Sequence, residues 1–245
     1  MLSEAQKHHF ETLGFIILRD FLPRDEVKLY ADAFEDTLVR ANGGEPWSRA
    51  PVRHQVLPFF RHNPEVYNRL LDDNRINEVL ENLIGEGYVF TVSEAIKHWT
   101  GTAWHHDAVS AETHTHLKVL LFLDPTTVDT GCLYLLPGSQ FLPYRERMQT
   151  YGNEILPLGK DVPGAHPCET QPGDVIVFNV KTYHGAFPDG SRRGLYLNFM
   201  QKPQTEADIR YVWDVGGQGG WYTPELYQDA PPQRKNMLAF WAERV

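Results

Sequence analysis

The chain has 245 residues, 42% hydrophobic and 22% charged, the composition of a globular protein large enough for one substantial core. A formal net charge of −9 without a long basic run argues against a nucleic-acid partner, and apolar runs such as VLLFL at 119–123 are far too short to span a bilayer. Cys132 and Cys168 make no disulfide framework and the polar N-terminal stretch has no signal-peptide pattern, so a cytoplasmic setting without a membrane partner is expected.

Ser3 and Gln6 form a capping box, and Phe10 and Leu13 share a helical face before Gly14 stops the helix. GFIILRDFL then reads as a short strand entering a loop. Pro23 opens an amphipathic helix over DEVKLYADAFEDTLVRA, which Asn42-Gly43-Gly44 terminates. Residues 45–62 read as irregular and hold Trp47, Arg53, His54, Arg61 and His62. Two further helical patterns, PEVYNRLL and INEVLENLI, end at Gly85. From residue 87 the texture changes to short β-branched or aromatic runs: YVFTVSEAIKHW, THLKVLLFLD, GCLYLLPGS, DVIVFNV and GLYLNFMQ, punctuated by Gly, Pro and Asp. DVGGQGGWYTPELY is a Gly-rich loop leading to a last helix around QRKNMLAFWAERV. Helices followed by strands predict an α+β chain, a β-sandwich or barrel with helices packed on one side. With no internal repeat or linker, one domain is expected over 1–245: a helical layer to about 86, a β core over about 87–203, and a C-terminal loop and helix over about 204–245.

AWHHDA at 103–108 carries the chemistry. Residues i and i+2 of a strand face the same way, which pairs His105 with Asp107 and His106 with Ala108. An imidazole and a carboxylate on one face need one more histidine to make the triad that holds non-haem Fe(II) with open positions. Among 11 histidines, His184 is the best candidate, because it directly follows the strand DVIVFNV. His114 and His116 are rivals, but the glutamate of a cupin-type site is missing from LKVLLFLD, and both read as exposed strand-face residues. A chelating dicarboxylate cosubstrate also needs a fixed cation, a task suited to arginine. In SRRGLYLNF, Arg192 lies with Gly194, Tyr196 and Asn198 on a face suited to a wet pocket. Arg193, the alternative, lies with Leu195, Leu197 and Phe199 on a face suited to a core.

These pieces together resemble the phytanoyl-CoA dioxygenase family of Fe(II)/2-oxoglutarate-dependent oxygenases, over most of the chain. FETLGFIILRDFLPRDEV resembles that family's N-terminal helix–strand–helix, and WHHD its Trp-His-x-Asp metal motif. LDPTTVDTGCLYLLPGSQ resembles its turn, apolar strand and Pro-Gly-Ser, QPGDVIVFN with YHGAF its distal histidine region, and SRRGLYLNF its cosubstrate-arginine strand. The resemblance implies a double-stranded β-helix (jelly-roll) core with an N-terminal helical layer. It implies Fe(II) at His105, Asp107 and His184, 2-oxoglutarate at Arg192, and O2 as oxidant, with 2-oxoglutarate converted to succinate while a small organic molecule is hydroxylated. Gln140 stands where the family often has histidine, and Ala186 where many members have a serine hydroxyl near the cosubstrate. Related halogenases replace the aspartate of the motif by Ala or Gly; Asp107 speaks against that chemistry. One rival reading keeps the site but gives desaturation, cyclisation or another oxidative rearrangement. Another is a metal-binding jelly-roll protein without oxygenase activity. A monomer or homodimer is expected.

For the substrate, the scattered basic and aromatic residues point to a small polar or anionic molecule. Arg53 and His54 sit in the segment where this family builds part of the substrate mouth. Lys97 and Trp99 immediately precede the metal strand and share a face of their own run if it is a strand, leaving His98 on the other. Lys118 projects from a core strand, Trp104 adjoins the metal motif, and Trp221 in GGQGGWY is a candidate lid residue.

Overall fold

The computed structural model describes residues 1–48, 52–107 and 114–245. Helix α1 (Glu4–Leu13) carries the capping box at Ser3 and Gln6, and it ends at Gly14 in the left-handed region, φ 83°. Strand β1 (Phe15–Leu18) and the long helix α2 (Arg24–Ala41) follow. Residues 53–61 are more regular than the sequence implies, with a strand β2 (Arg53–Val56) and a 3-10 turn at Phe59–Arg61. Helices α3 (Pro64–Asp72) and α4 (Asn74–Ile84) precede the β-rich part.

The strands are β3 (Val89–His98), β4 (Thr102–His105), β5 (His116–Phe122), β6 (Cys132–Leu135), β7 (His166–Cys168), β8 (Val175–Asn179), β9 (His184–Phe187) and β10 (Arg192–Met200). They form a six-stranded sheet, β1-β8-β5-β10-β3-β2, and a four-stranded sheet, β4-β9-β6-β7, with antiparallel pairing throughout. This is the double-stranded β-helix.

Strand alternation explains the layers. Leu117, Val119 and Leu121 of β5, Val175 and Val177 of β8, and Leu195, Leu197 and Phe199 of β10 pack against the helices. The intervening Leu120, Phe122, Ile176 and Phe178 face Leu133, Leu135 and Cys168 of the smaller sheet. Runs such as VIVF are therefore buried on both faces and lose the apolar–polar rhythm of a half-exposed strand. A helix absent from the sequence reading, α5 (Leu142–Ile155), closes the smaller sheet through Met148, against Tyr134 and Trp104. Helices α6 (Glu206–Val215), α7 (Pro224–Gln228) and α8 (Pro232–Ala242) complete the helical layer. Gln140 donates its side-chain amide to the carbonyls of Glu11 and Thr12, both at 3.2 Å, and so caps the end of α1. Both cysteines are free and buried, and no helix among the described residues is long and apolar enough to cross a membrane.

Candidate active site

β4 and β9 are neighbours, and their register sets His105 directly opposite His184, with ring centroids 4.2 Å apart. β4 ends at His105, so strand alternation alone does not place Asp107. Its backbone N–H donates to the Val180 carbonyl at 3.0 Å, which turns the carboxylate back between the imidazoles. Asp107 Oδ1 lies 3.4 Å from His105 Nε2, and Oδ2 lies 3.6 Å from His184 Nε2. Ligand atoms of all three residues lie within 4.8 Å of one another. His105 Nδ1 is 2.8 Å from the Ala103 carbonyl and His184 Nδ1 is 2.9 Å from the Thr182 carbonyl. A carbonyl only accepts, so each Nδ1 carries the proton and each Nε2 keeps its lone pair for a metal. Two neutral imidazoles and one carboxylate are the donor set that Fe(II) takes with positions to spare. His106 packs edge-on against Tyr183 instead, at 5.0 Å. Ala108, which the alternative pairing invokes, lies outside the described residues.

Lys118 of β5 donates to Asp107 Oδ2 at 2.6 Å and lies 4.0 Å from Glu94 Oε2. Burial opposes ionisation of Asp107, but Lys118, His184 and His105 outweigh it and hold the carboxyl well below its ordinary value. Burial also pulls the Lys118 ammonium down, and Asp107 and Glu94 more than restore it. Burial lowers His184 to about 4, so that ring is neutral at physiological pH. His105 is raised: its bonds to Asp107 and Ala103 exceed the effect of burial.

From this cluster a cavity of about 340 Å³ leads to Arg192. The Arg192 side chain is buried; Nη1 donates to the carbonyls of Thr100 at 3.2 Å and Gly190 at 3.4 Å, and Nε has no partner among the described residues. A buried guanidinium bonded only to carbonyls, with a donor left over, is a cradle for a carboxylate. Arg193 points through the other face of β10, where Asp124 accepts from Nε at 3.0 Å and from Nη2 at 2.7 Å and Glu35 lies 3.6 Å from Nη1. Tyr196 lines the cavity with its hydroxyl 3.2 Å from His98 Nε2, and burial, then Arg192 and Arg53, lowers His98 to about 3. Leu120, Phe122, Leu133 and Phe178 make the apolar walls. Ala186 also lines the cavity; directly across the strand pair from it is Thr102.

The substrate candidates divide by strand face. Arg53 and Lys118 line the cavity, Arg53 across from His98. His54, Lys97 and Trp99 do not, which corrects the expectation from proximity along the chain. Lys97 Nζ pairs with Glu35 of α2 at 2.9 Å, and the His54 ring sits edge-on to Trp47 and Trp99 at 4.5 and 4.7 Å. The face of β3 that meets the cavity carries Glu94, Ile96 and His98. Trp104 donates its indole N–H to the Gly159 carbonyl at 2.7 Å and packs on Phe187 in the core. Trp221 packs at Gly217 in the C-terminal loop and is absent from the cavity wall, so a lid role has no support there. Arg61 donates to the Gly220 carbonyl at 2.9 Å. His114 and His116 are buried, contrary to the exposed reading: His114 pairs with Asp208 at 3.4 Å, and His116 Nε2 with Asn198 Oδ1 at 3.1 Å. Tyr196 lines the cavity on the face expected from Arg192, whereas Glu94 and His98 are charged or polar cavity residues that the sequence does not single out. Their signal is the period-two spacing of Glu94, Ile96 and His98, legible once one member is known to face inward.

A family model described as phytanoyl-CoA dioxygenase matches residues 10–194. Among solved structures, HygX from Streptomyces hygroscopicus with nickel and 2-oxoglutarate bound superposes with a TM-score of 0.67 at 18% identity, covering 84% of this chain and 89% of that one. EvdO2 from Micromonospora carbonacea var. aurantiaca complexed with 2-oxoglutarate gives 0.62 at 24% identity, over 84% and 94%. The alpha ketoglutarate dependent epimerase SnoN from nogalamycin biosynthesis gives 0.63 at 22% identity, over 81% and 82%. These structures share the fold.

Proposed function

Because the chain belongs to the phytanoyl-CoA dioxygenase family and is an Fe(II)/2-oxoglutarate-dependent oxygenase, we propose that it hydroxylates a small polar or anionic molecule. In this reading His105, Asp107 and His184 hold the iron and Arg192 holds 2-oxoglutarate, in one domain over 1–245 acting as a monomer or homodimer. When bound, iron and 2-oxoglutarate supply the oxidation, consuming O2 and releasing CO2 and succinate. The protein's residues orient and insulate that chemistry. His105 and His184 offer Nε2 because their Nδ1 protons are committed to backbone carbonyls. Asp107 stays ionised beside Lys118. Arg192 anchors the distal carboxylate of 2-oxoglutarate, and the Leu120, Phe122, Leu133 and Phe178 walls keep water from the reacting centre.

The observation that carries the reading is the buried Arg192 guanidinium, without a carboxylate partner among the described residues, at one end of a cavity whose other end is the His105–Asp107–His184 cluster. A second reading has one specific support. Two proteins of this fold from nogalamycin biosynthesis are the epimerase SnoN and the carbocyclase SnoK, so cyclisation, desaturation or another rearrangement at the same site is the alternative outcome. Family membership sets aside the reading as a metal-binding protein without oxygenase activity. The test is succinate release screened against a metabolite library, with the product of each hit weighed by mass spectrometry. Hydroxylation predicts a product heavier by one oxygen. A product lighter by two hydrogens, or of unchanged mass, would replace hydroxylation by the second reading.

A further inference from the structure

Lys118 supplies neither a metal ligand nor the cosubstrate anchor in the reading above, yet its ammonium touches the carboxylate between the two histidines. Its side chain is 12% exposed and lies between two carboxylates, 2.6 Å from Asp107 Oδ2 and 4.0 Å from Glu94 Oε2. The rings of Phe178 and Tyr196 flank it at 6.0 and 5.9 Å. The other oxygen of Glu94 accepts from Gln55 Nε2 at 2.6 Å, which holds that carboxylate in place.

The charges around the cavity follow from these contacts. Among the described residues, Asp107 and Glu94 contribute two negative charges and Lys118 and Arg192 two positive ones, so this enclosed set is neutral. Arg53, the remaining charged lining residue among those described, is exposed and screened by solvent. A dication entering alone meets an ammonium bonded to its own ligand. A dianion entering alone meets two carboxylates. Entering together, they restore neutrality in a setting where unbalanced charge is costly.

We propose that Lys118 is a positioning residue whose fixed charge strengthens the dependence of metal binding and 2-oxoglutarate binding on each other beyond what chelation alone gives. The inference rests on the assignment of His105, Asp107 and His184 to the metal and Arg192 to 2-oxoglutarate. The ammonium opposes the metal-only state and favours the dianion, and linkage requires each ligand to tighten the other by the same factor. Removing that charge leaves the cavity net negative, which helps a lone cation and hinders 2-oxoglutarate. A merely structural lysine would act differently: its loss would loosen Asp107 and weaken the metal equally with and without 2-oxoglutarate.

Mn(II) titrations followed by loss of the free-ion EPR signal, with and without 2-oxoglutarate, separate the two. In the wild type 2-oxoglutarate should tighten Mn(II) by about tenfold or more. In Lys118→Met, Mn(II) alone should bind more tightly than in the wild type, and the factor should fall several-fold while staying above one, because 2-oxoglutarate still chelates the metal. Lys118→Arg should keep it. Lys118→Gln, which retains a polar contact without charge, takes the place of Lys118→Met if circular dichroism shows the latter unfolded. An unchanged factor in the uncharged variant, with Mn(II) weakened in both conditions, overturns the role of Lys118 alone. A wild type that binds no Mn(II), or binds it indifferently to 2-oxoglutarate, overturns the site assignment and the inference with it.

Discussion

Arg192 and Arg193 are adjacent, and β10 gives them opposite tasks by turning one to each face. Arg192→Ala should weaken 2-oxoglutarate binding by about 2 kcal/mol or more, since a charge-assisted carboxylate contact is lost. Arg193→Met should leave that affinity unchanged and cost about 1–2 kcal/mol of stability, because Asp124 loses its two-point partner. Calorimetric titration with 2-oxoglutarate beside urea denaturation reads both, and the reverse pattern would mean that the facing of β10 is wrong. Tyr211 poses a different residue-scale question. Its hydroxyl is buried without a partner, close to His116, whose Nδ1 is also unpartnered among the described residues. A buried hydroxyl that makes no hydrogen bond weakens the fold, so Tyr211→Phe should raise unfolding free energy by about 1 kcal/mol. A loss of stability in that variant would show that the hydroxyl is satisfied in solution.

At the scale of elements, one carboxylate helps to hold the loop after β1 to the turn before β8. Asp174 accepts from the backbone N–H of Asp20 at 2.9 Å and of Gln171 at 3.0 Å, and from Arg19 at 2.7 Å. Asp174→Ala should cost about 2–3 kcal/mol in urea denaturation, as two backbone donors lose their acceptor. Burial opposes its ionisation, but these donors hold its pKa below the ordinary value. Its contribution is therefore present above about pH 4 and lost below. A cost within about 0.5 kcal/mol would show these elements to be joined by other contacts, such as the Leu22 N–H that donates to the Gly173 carbonyl at 2.9 Å. The strands of the core were legible because β-branched, leucine and aromatic residues dominate β5, β8 and β10. The pairing of His105 with Asp107 was legible in a four-letter motif. Helix α5 was not: its buried positions are Arg145, Met148 and Gly152, which make no apolar stripe. Nor was β2, where RHQV becomes a strand only by pairing with β3. The same limit misplaced Lys97 and Trp99. Nearness along the chain put them by the metal, whereas the pairing of β3 with β10 and β2 decides that Glu94 and His98 face inward.

For the whole molecule, helices close one face of the larger sheet and α5 closes the smaller, leaving the space between the sheets for the cavity. Two histidines inside this assembly, His98 and His116, are held to about 3 chiefly by burial. Each is neutral when folded and takes up a proton when unfolded below about pH 6.5, so the unfolded state binds more protons there. Stability should be full above that value and fall as pH drops, by on the order of 1–2 kcal/mol per histidine at about pH 5. Urea midpoints measured across this range should slope accordingly, and His116→Gln should flatten the slope; a level profile would mean that neither ring is buried neutral. The central claim is that His105, Asp107 and His184 form one metal centre that 2-oxoglutarate chelates, with Arg192 at its far end. Anaerobic addition of Fe(II) and 2-oxoglutarate tests it most directly. A visible charge-transfer band is expected in the wild type and should be lost in folded His105→Ala, Asp107→Ala and His184→Ala. Absence of the band in the folded wild type, or its survival in all three variants, would contradict it.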